Sequence, residues 1–324
     1  MNMLHRRSLL LAACATALAP AVHAQRRGTA RLLVGFPPGG AADVLARALS
    51  TQLHVDGAAY IVENKPGAGG RLAVVEAKRA AADGRTILIT ADPILTIYPH
   101  VFKNLGYDPL VDLIPVATIA AEPMGLVVGP MVPASVKTLA QFVDWCKKNP
   151  TDASYATAAA GTTMHFLGEL FAQSAHFALT HIPHRGAAAG VQDVLGGQIA
   201  STIVTMSQVL PHLPGGKLRT LAISSAKRSP RVPDVPTFVE LGYPKIEALV
   251  YYGAYIPAAT PAEVAQRITA EVVQASAARE MVNTREKMGV DDLKLSGPKF
   301  AEFFKADLER WGPIVKASGY KAEE

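Results

Sequence analysis

Four times along this chain a turn of small residues opens directly onto a helical pattern: Gly39-Gly40, Gly67-Ala68-Gly69-Gly70, Gly161-Thr162-Thr163 and Gly186-Ala187. The first is the clearest. The stretch "LLVGFPPGGAADVLARAL" (residues 32–49) starts as an apolar strand, passes two prolines and two glycines, and continues as a helix. Its Val44, Leu45, Ala48 and Leu49, with Leu53 beyond, share one apolar face. Strands that run straight into helices bury both only by layering helices on a sheet, so the pattern predicts an α/β fold. A glycine turn also leaves backbone N–H groups bare at the positive end of a helix dipole, which suits an anion. For any single turn the simpler reading is a tight connection that needs glycine. Four together point to an anion held between opposed helix starts.

The alternation continues along the chain. "RLLVGF", "AYIVEN" and "TILITA" are separated by helical patterns, the second over residues 71–82, and make a βαβαβ unit. "GLVVG", "ASYATA", "HIPH", "ASTIVTM" and "LRTLAISS" then alternate with helices near residues 137–148, 163–175 and 187–196, which predicts parallel sheets with crossover helices. The C-terminal part reads as helical. Thr260-Pro261-Ala262-Glu263 has the form of a capping box with proline at the first helical position, and a last helix covers residues 298–317. A chain of 324 residues, 49% of them hydrophobic, is ample for two lobes.

Residues 1–24 read as a targeting segment. Arg6 and Arg7 form a positive start, residues 8–21 are apolar and alanine-rich, and Val22-His23-Ala24 places small residues where a signal peptidase cuts. Export to the periplasm with cleavage near Ala24 is expected; the arginine pair leaves Sec and Tat both open. Leu11-Ala12-Ala13-Cys14 is also similar to a lipoprotein box, but lipidation at Cys14 would leave an apolar core of only residues 8–13, short for such a signal. Cleavage leaves Cys146 as the single cysteine, so no intrachain disulfide is expected, and its helical setting reads as a buried inert thiol.

Loss of Arg6 and Arg7 takes two charges from a formal net of +5, and the remaining basic residues are scattered, which argues against a nucleic-acid partner. No later stretch has the continuous apolar length of a membrane span.

Motifs for chemistry are missing where they would be needed. Gly35 to Gly40 has phosphate-loop spacing, yet Ala41-Ala42 follow where Lys and Ser/Thr belong. "GAGGRLA" puts Leu72 at the third glycine of a dinucleotide fingerprint, so no cofactor is expected. His165 and Glu169 are one helical turn apart, and His176, His181 and His184 cluster in sequence, but neither spacing matches a zinc site, so no metal is expected. An exported hydrolase would need a nucleophile, a base and an oxyanion donor together, and nothing supplies them.

The blocks "VGFPPGGAADVLARAL", "VENKPGAGG", "ADGRTIL", "YDP", "HFLGELF", "LGGQ", "GKLRTLAISSAKRSPRVPDVPTFVELGYP" and "IPAATP" resemble, in order and along essentially the whole mature chain, the Bug family of periplasmic receptors. These are the TctC-like solute-binding proteins of tripartite tricarboxylate transporters. The resemblance implies a type II periplasmic-binding-protein fold: two α/β lobes joined by two crossover segments, closing like a Venus flytrap on a small organic acid. It implies delivery of that acid to membrane permease subunits, with no enzymatic step, by a protein expected to be a monomer. Presentation of the solute to a histidine kinase stays open as an alternative. By the same resemblance the first lobe comprises residues 25–124 and 250–324, and the second residues 125–249.

Carried over position by position, the resemblance assigns the first-lobe clamp to Phe36, Pro38, Gly39, Gly40, Ala41, Ala42 and Asp43, with Ala91 and Asp92 nearby. The second-lobe clamp is Ala159, Ala160, Gly161, Thr162, Thr163 and His165, and Val204 is assigned to the ligand site as well. The chain departs from the family pattern in one direction. Ala41 and Ala42 stand where Ser or Thr is frequent, Ala160 where Asn is, Met164 where a polar residue is, and Val204 where Asp is expected. Partners for an amine or a second hydroxyl are thus lost, which points to an apolar or aromatic monocarboxylate rather than an amino acid or citrate. Asp92 and Arg71 add charge to loops that are usually neutral. Asp43, in a first helical turn, is expected to hold the turn by accepting backbone N–H groups, and Arg71, at a helix start, to face solvent.

Overall fold

The computed structural model describes residues 29–322. The targeting segment, Cys14 and the cleavage point near Ala24 lie outside the described residues. The strands are β1 (Arg31–Val34), β2 (His54–Val55), β3 (Ala58–Ala59), β4 (Ile61–Asn64), β5 (Thr86–Ala91), β6 (Leu113–Val128), β7 (Ser154–Thr157), β8 (Thr180–Pro183), β9 (Ser201–Thr205), β10 (Arg219–Ile223) and β11 (Leu249–Pro257). The framework is one mixed sheet in the order β4-β1-β5-β11-β6-β9-β7-β8, with β10 pairing β6, and β2 and β3 form a small hairpin apart from it.

The long helices are α1 (Ala41–Ser50), α2 (Arg71–Arg79), α3 (Leu139–Lys148), α4 (Thr163–Ser174), α5 (Ala187–Leu195), α6 (Ala262–Ala277), α7 (Arg279–Met288) and α8 (Gly297–Ser318). The expected βαβαβ unit is present: β1 pairs in parallel with both β4 and β5. In the other half, β7 pairs in parallel with β8 and β9.

The centre of the sheet differs from the expected parallel arrangement. β6 and β11 run antiparallel to each other, and β6 is antiparallel to β9 and β10 as well. β6 is 16 residues long, of which only "GLVVG" was legible as a strand, because Pro115 and Pro123 interrupt its pattern. Proline lacks the N–H a ladder needs. The strand accommodates both: Pro115 lies at a register shift opposite Tyr255, and Pro123 stands where β6 leaves its pairing with β11 and begins pairing with β9 at Met124. β6 and the β10-to-β11 segment are therefore the two crossings between the halves. Ser224 ties them together: its hydroxyl accepts the Met124 N–H (2.9 Å) and donates to the Ala248 carbonyl (2.6 Å).

β11 carries Gly253 in its middle because the Phe300 ring lies on that position; a Cβ there would stand 2.8 Å from it. The C-terminal helix α8 links both halves. Phe300, Phe304 and Leu308 pack with Tyr251 and Tyr255, while Trp311 and Val315 join Phe166 and Phe171. Each buried Phe, Leu or Val among these contributes about 1.5–3 kcal/mol through its removal from water.

The expected capping box at Thr260 does not form. Pro261 is extended (φ −55°, ψ 143°) and is itself the cap position, so Thr260 lies one residue too early and its buried hydroxyl has no partner. A real box occurs instead at α3, where Thr138 accepts the Gln141 N–H and the Gln141 side chain returns to the Thr138 N–H. Cys146 is buried in that helix, and burial pushes its thiol up to about 12.

Candidate functional site

The carboxyl ends of β1, β4 and β5 share one sheet edge, with Val34 opposite both Asn64 and Ile89. Loops leaving such an edge are where open α/β sheets bind ligands. The chain leaves β1 at Gly35, where a Cβ would stand 2.8 Å from the Gly70 carbonyl oxygen, so the loops after β1 and β4 meet backbone to backbone. Asn64 Nδ2 donates to the Phe36 carbonyl (3.0 Å) and to Asp43 Oδ1 (2.9 Å), tying the turn to β4.

Asp43 is buried and acts as the turn's anchor. Its Oδ2 accepts the Gly39 N–H at 2.9 Å, and both oxygens receive the Arg47 guanidinium at 2.9 Å. Burial alone would raise its pKa; hydrogen bonds from Arg47, Gly39 and Asn64 outweigh that and hold the carboxyl below its ordinary value. The cap position of α1 is Gly40, which has no side chain, so the helix starts without a side-chain cap. The first-turn N–H groups of Ala41 and Ala42 then have no intrahelical acceptor. Pro38, Gly39 and Gly40 are exposed, Ala41 half-buried and Ala42 buried. Helices α2 and α5 likewise begin at glycines, Gly70 and Gly186, with no side-chain cap.

On the opposite side, the chain leaves β7 through Ala159 and Ala160 into α4. Thr162 is the cap: its hydroxyl accepts the His165 N–H (3.4 Å) and donates to the Ala159 carbonyl (3.0 Å). Gly161 takes φ +72° and donates its N–H to His165 Nδ1 (3.1 Å). That N–H is therefore engaged by the protein itself, and the imidazole carries its proton on Nε2. The His165 ring stacks on His181 at 4.0 Å, and His181 Nε2 meets the Thr157 hydroxyl at 2.7 Å. Burial lowers the pKa of His165 to about 4; burial, with the nearby imidazoles, lowers that of His181 to about 3.

The two edges meet at Asp92. This residue follows β5, is fully buried, and accepts the Tyr251 N–H on Oδ1 (2.9 Å) and the Thr163 hydroxyl on Oδ2 (3.4 Å). Thr163, the first residue of α4, is also fully buried. Of the residues expected at the site, the structure thus joins Phe36, Gly39 and Asp43 on one side, Ala159, Gly161, Thr162 and His165 on the other, and Asp92 with Thr163 across them. Ala91 ends β5 opposite Tyr252. Val204 is elsewhere: it packs with Val127, Ala156, Val191, Val194 and Met206, in the apolar layer where α5 covers the sheet. Its alternation on β9 turns it to that layer, while Ile203 faces the other.

Arg71 does not simply face solvent. Its guanidinium lies 3.9 Å from the Phe102 ring and its Nε donates to the Ala68 carbonyl (2.9 Å). His184 is held between the Ile182 carbonyl and Asp193 Oδ2 (2.8 Å), and among the described residues no three His, Cys, Asp or Glu side chains converge as metal ligands.

Two contributors escaped the sequence reading. Tyr251 serves the site through its backbone N–H, which no residue-type pattern marks. Tyr320, just past α8, lays its ring against Gly161, 3.0 Å from where a Cβ would be, and stands edge-on to His165 at 5.1 Å. An aromatic near a helix end was its only signal. Among the described residues no helix is long and apolar enough to cross a membrane.

The family model described as "TctC: Tripartite tricarboxylate transporter family receptor" matches residues 42–320. BugT of Bordetella pertussis is 32% identical over 293 residues, covering 90% of this chain and 89% of that protein. The solved structure of the periplasmic binding protein BugD is similar with a TM-score of 0.75 at 26% identity, over 91% of this chain and 99% of that one. An R. palustris protein solved with adipate gives a TM-score of 0.77 at 28% identity, over 90% and 97% of the two chains.

Proposed function

The chain belongs to the TctC family of tripartite tricarboxylate transporter receptors, solute-binding proteins and not enzymes, and from that premise we propose that it captures a small organic carboxylate between two lobes and passes it to the membrane subunits of such a transporter. The observation that supports this reading is the Thr163–Asp92 contact, which brings the start of α4 to the end of β5, the strand paired with the β1 that leads to Gly39 and Asp43. An anion placed there receives N–H groups from the uncapped start of α1 and from the first turn of α4, and only an anion touching both sides favours closure. The lobes meet at the two crossings, near residues 124 and 250, where Ser224 joins them. The mature protein acts in the periplasm after removal of residues 1–24.

The side chains at the clamp support an apolar or aromatic monocarboxylate. Ala41, Ala42, Ala159 and Ala160 offer methyl groups and no hydroxyl or amide, so an ammonium or hydroxyl group on the solute would lie unpaired at about 1–3 kcal/mol each. The adipate held by the R. palustris relative is a dicarboxylate, and it supports only the apolar chain of the solute and not the single carboxylate.

A thermal-shift panel of alkanoates, benzoates, adipate, citrate and aspartate tests both levels. A solute at 100 times its Kd stabilises by about 2.7 kcal/mol, enough to raise the melting temperature by several degrees. Stabilisation by alkanoates or benzoates is the expected result. Response to citrate or aspartate alone overturns the solute class, and response to none of a broad carboxylate panel overturns the capture reading.

A further inference from the structure

Asp92 is fixed in place by the first lobe and read by the second. Its N–H donates to the Tyr251 carbonyl (2.9 Å), and its Oδ1 accepts the Tyr251 N–H in return, so β11 holds the residue from both sides. Oδ2 is left to face Thr163, which arrives from the other edge at the head of α4. Both donors are neutral. The cation nearest in effect, Arg310, is already bound to Asp307 and to the Glu247 carbonyl. A carboxylate fully removed from water without a cation of its own favours its acid form.

We propose that Asp92 is a proton-dependent latch between the lobes: the arrangement with the Thr163 hydroxyl on its carboxyl is held while the acid carries its proton and is released when the acid ionises. The proposal rests on the two-lobed capture reading only in that the lobes must part to admit a solute. The proton comes from solvent and no other bond is made or broken. Parting removes Thr163 and lets water reach Oδ2, which returns the group toward ordinary carboxylate behaviour. A captured carboxylate adds a like charge, so capture and proton uptake reinforce each other.

The groups facing Asp92 agree with this direction. β11 contributes Tyr251, Tyr252 and Tyr255, each with its pKa raised chiefly by burial, so all three are neutral. α8 contributes Asp307 and Arg310; the Asp307 carboxyl is raised by burial in spite of Arg310 and acts on Asp92 as a like charge. On α4, two residues beyond Thr163, His165 is kept neutral by burial. Burial, then Asp307, push the Asp92 carboxyl well above its ordinary value.

The test needs no solute. The mature chain, Asp92→Asn and Thr163→Val are followed by small-angle scattering from pH 4 to 8, with the side-chain carboxyl of Asp92 followed by carbon NMR against the Asp92→Asn spectrum. The parent protein should expand as pH rises through the Asp92 titration, whose midpoint lies well above the usual carboxylate range. Asp92→Asn, whose amide meets both Tyr251 and Thr163 uncharged, should stay compact at every pH, and Thr163→Val should be expanded at every pH. A parent radius of gyration that ignores pH, a pH response that survives in either variant, or an ordinary Asp92 midpoint overturns the latch. Should Asp92→Asn lose its fold by circular dichroism, Thr163→Val decides alone. Failure of every carboxylate to bind would sink the capture reading and leave these outcomes unchanged.

Discussion

The Ser224 hydroxyl donates to the Ala248 carbonyl at 2.6 Å, fastening the returning crossing to the outgoing one, whose Met124 N–H the same oxygen accepts. Ser224 is fully buried and lies just past β10, where its own N–H also donates to the Met124 carbonyl (2.8 Å). One small side chain therefore satisfies a donor and an acceptor on two different crossings.

Ser224→Ala leaves both backbone groups buried and unpaired. The expected cost is about 1–3 kcal/mol, read as a lower denaturation midpoint with an unchanged slope. Ser224→Thr keeps the hydroxyl and should recover part of the loss only if the added methyl fits, so the Ala variant is the cleaner measurement. A midpoint unchanged in Ser224→Ala would show that water replaces the hydroxyl.

Much of this was legible in the sequence, and the reasons for the rest are local. β5 is legible at its observed limits and α4 to within one residue, because a run rich in β-branched residues (Thr86, Ile87, Ile89, Thr90) before a charged turn and a glycine-led helical period are strong one-dimensional signals. Most of β6 and all of β11 are hidden in the sequence: Pro115, Pro123 and Gly253 look like breakers until neighbouring strands and the Phe300 ring supply their reasons. Within the site, the Asp43-to-Gly39 bond follows from a carboxylate in a first turn. The Asp92-to-Thr163 contact joins residues 71 apart, and no local pattern reports it.

Asp43→Asn tests the turn itself. The amide keeps one acceptor but loses the charge that gathers Gly39, Arg47 and Asn64, so Gly39 to Ala42 should loosen. Stability should fall by about 1–2 kcal/mol and solute affinity by less than tenfold. The Asp43 carboxyl lies below its ordinary value in the folded protein, so its stabilisation is complete above the unfolded value and is lost as pH falls through the folded one. Melting curves should accordingly converge for parent and variant in strong acid. Total loss of binding in a folded Asp43→Asn protein would instead place the carboxylate against the solute.

His165 predicts a second acid dependence of opposite chemical origin. Burial lowers its pKa from 6.5 to about 4, so the folded state holds the imidazole neutral while the unfolded state takes up a proton. Its contribution is complete above pH 6.5 and is lost as pH falls toward 4, with a slope of up to about 1.4 kcal/mol per pH unit. Protonation also takes away the Nδ1 lone pair that accepts the Gly161 N–H. His165→Gln offers an acceptor that does not titrate, so the slope of melting temperature between pH 6.5 and 4 should change in the variant by the His165 share, the remainder belonging to His181 and to the buried carboxyls whose pKa values are raised. Equal slopes would remove His165 from this role.

Gly161→Ala probes the clamp from the opposite direction, through backbone conformation and the tail at once. Alanine at φ +72° costs roughly 1–2 kcal/mol by itself, and its Cβ would stand 3.0 Å from the Tyr320 ring, closer than an ordinary contact. The combined effect should appear in solute affinity more than in global stability, because the strain falls on the loop that begins α4 while the apolar cores are untouched. Tyr320→Ala removes the ring but leaves the backbone strain. In a double-mutant cycle the pair should therefore lose less than the sum of the single variants, with a coupling of about 0.5–1 kcal/mol measured from solute affinities. Strict additivity would mean that the Tyr320 ring moves aside at no cost, and the tail would then have no part in shaping the turn at Gly161.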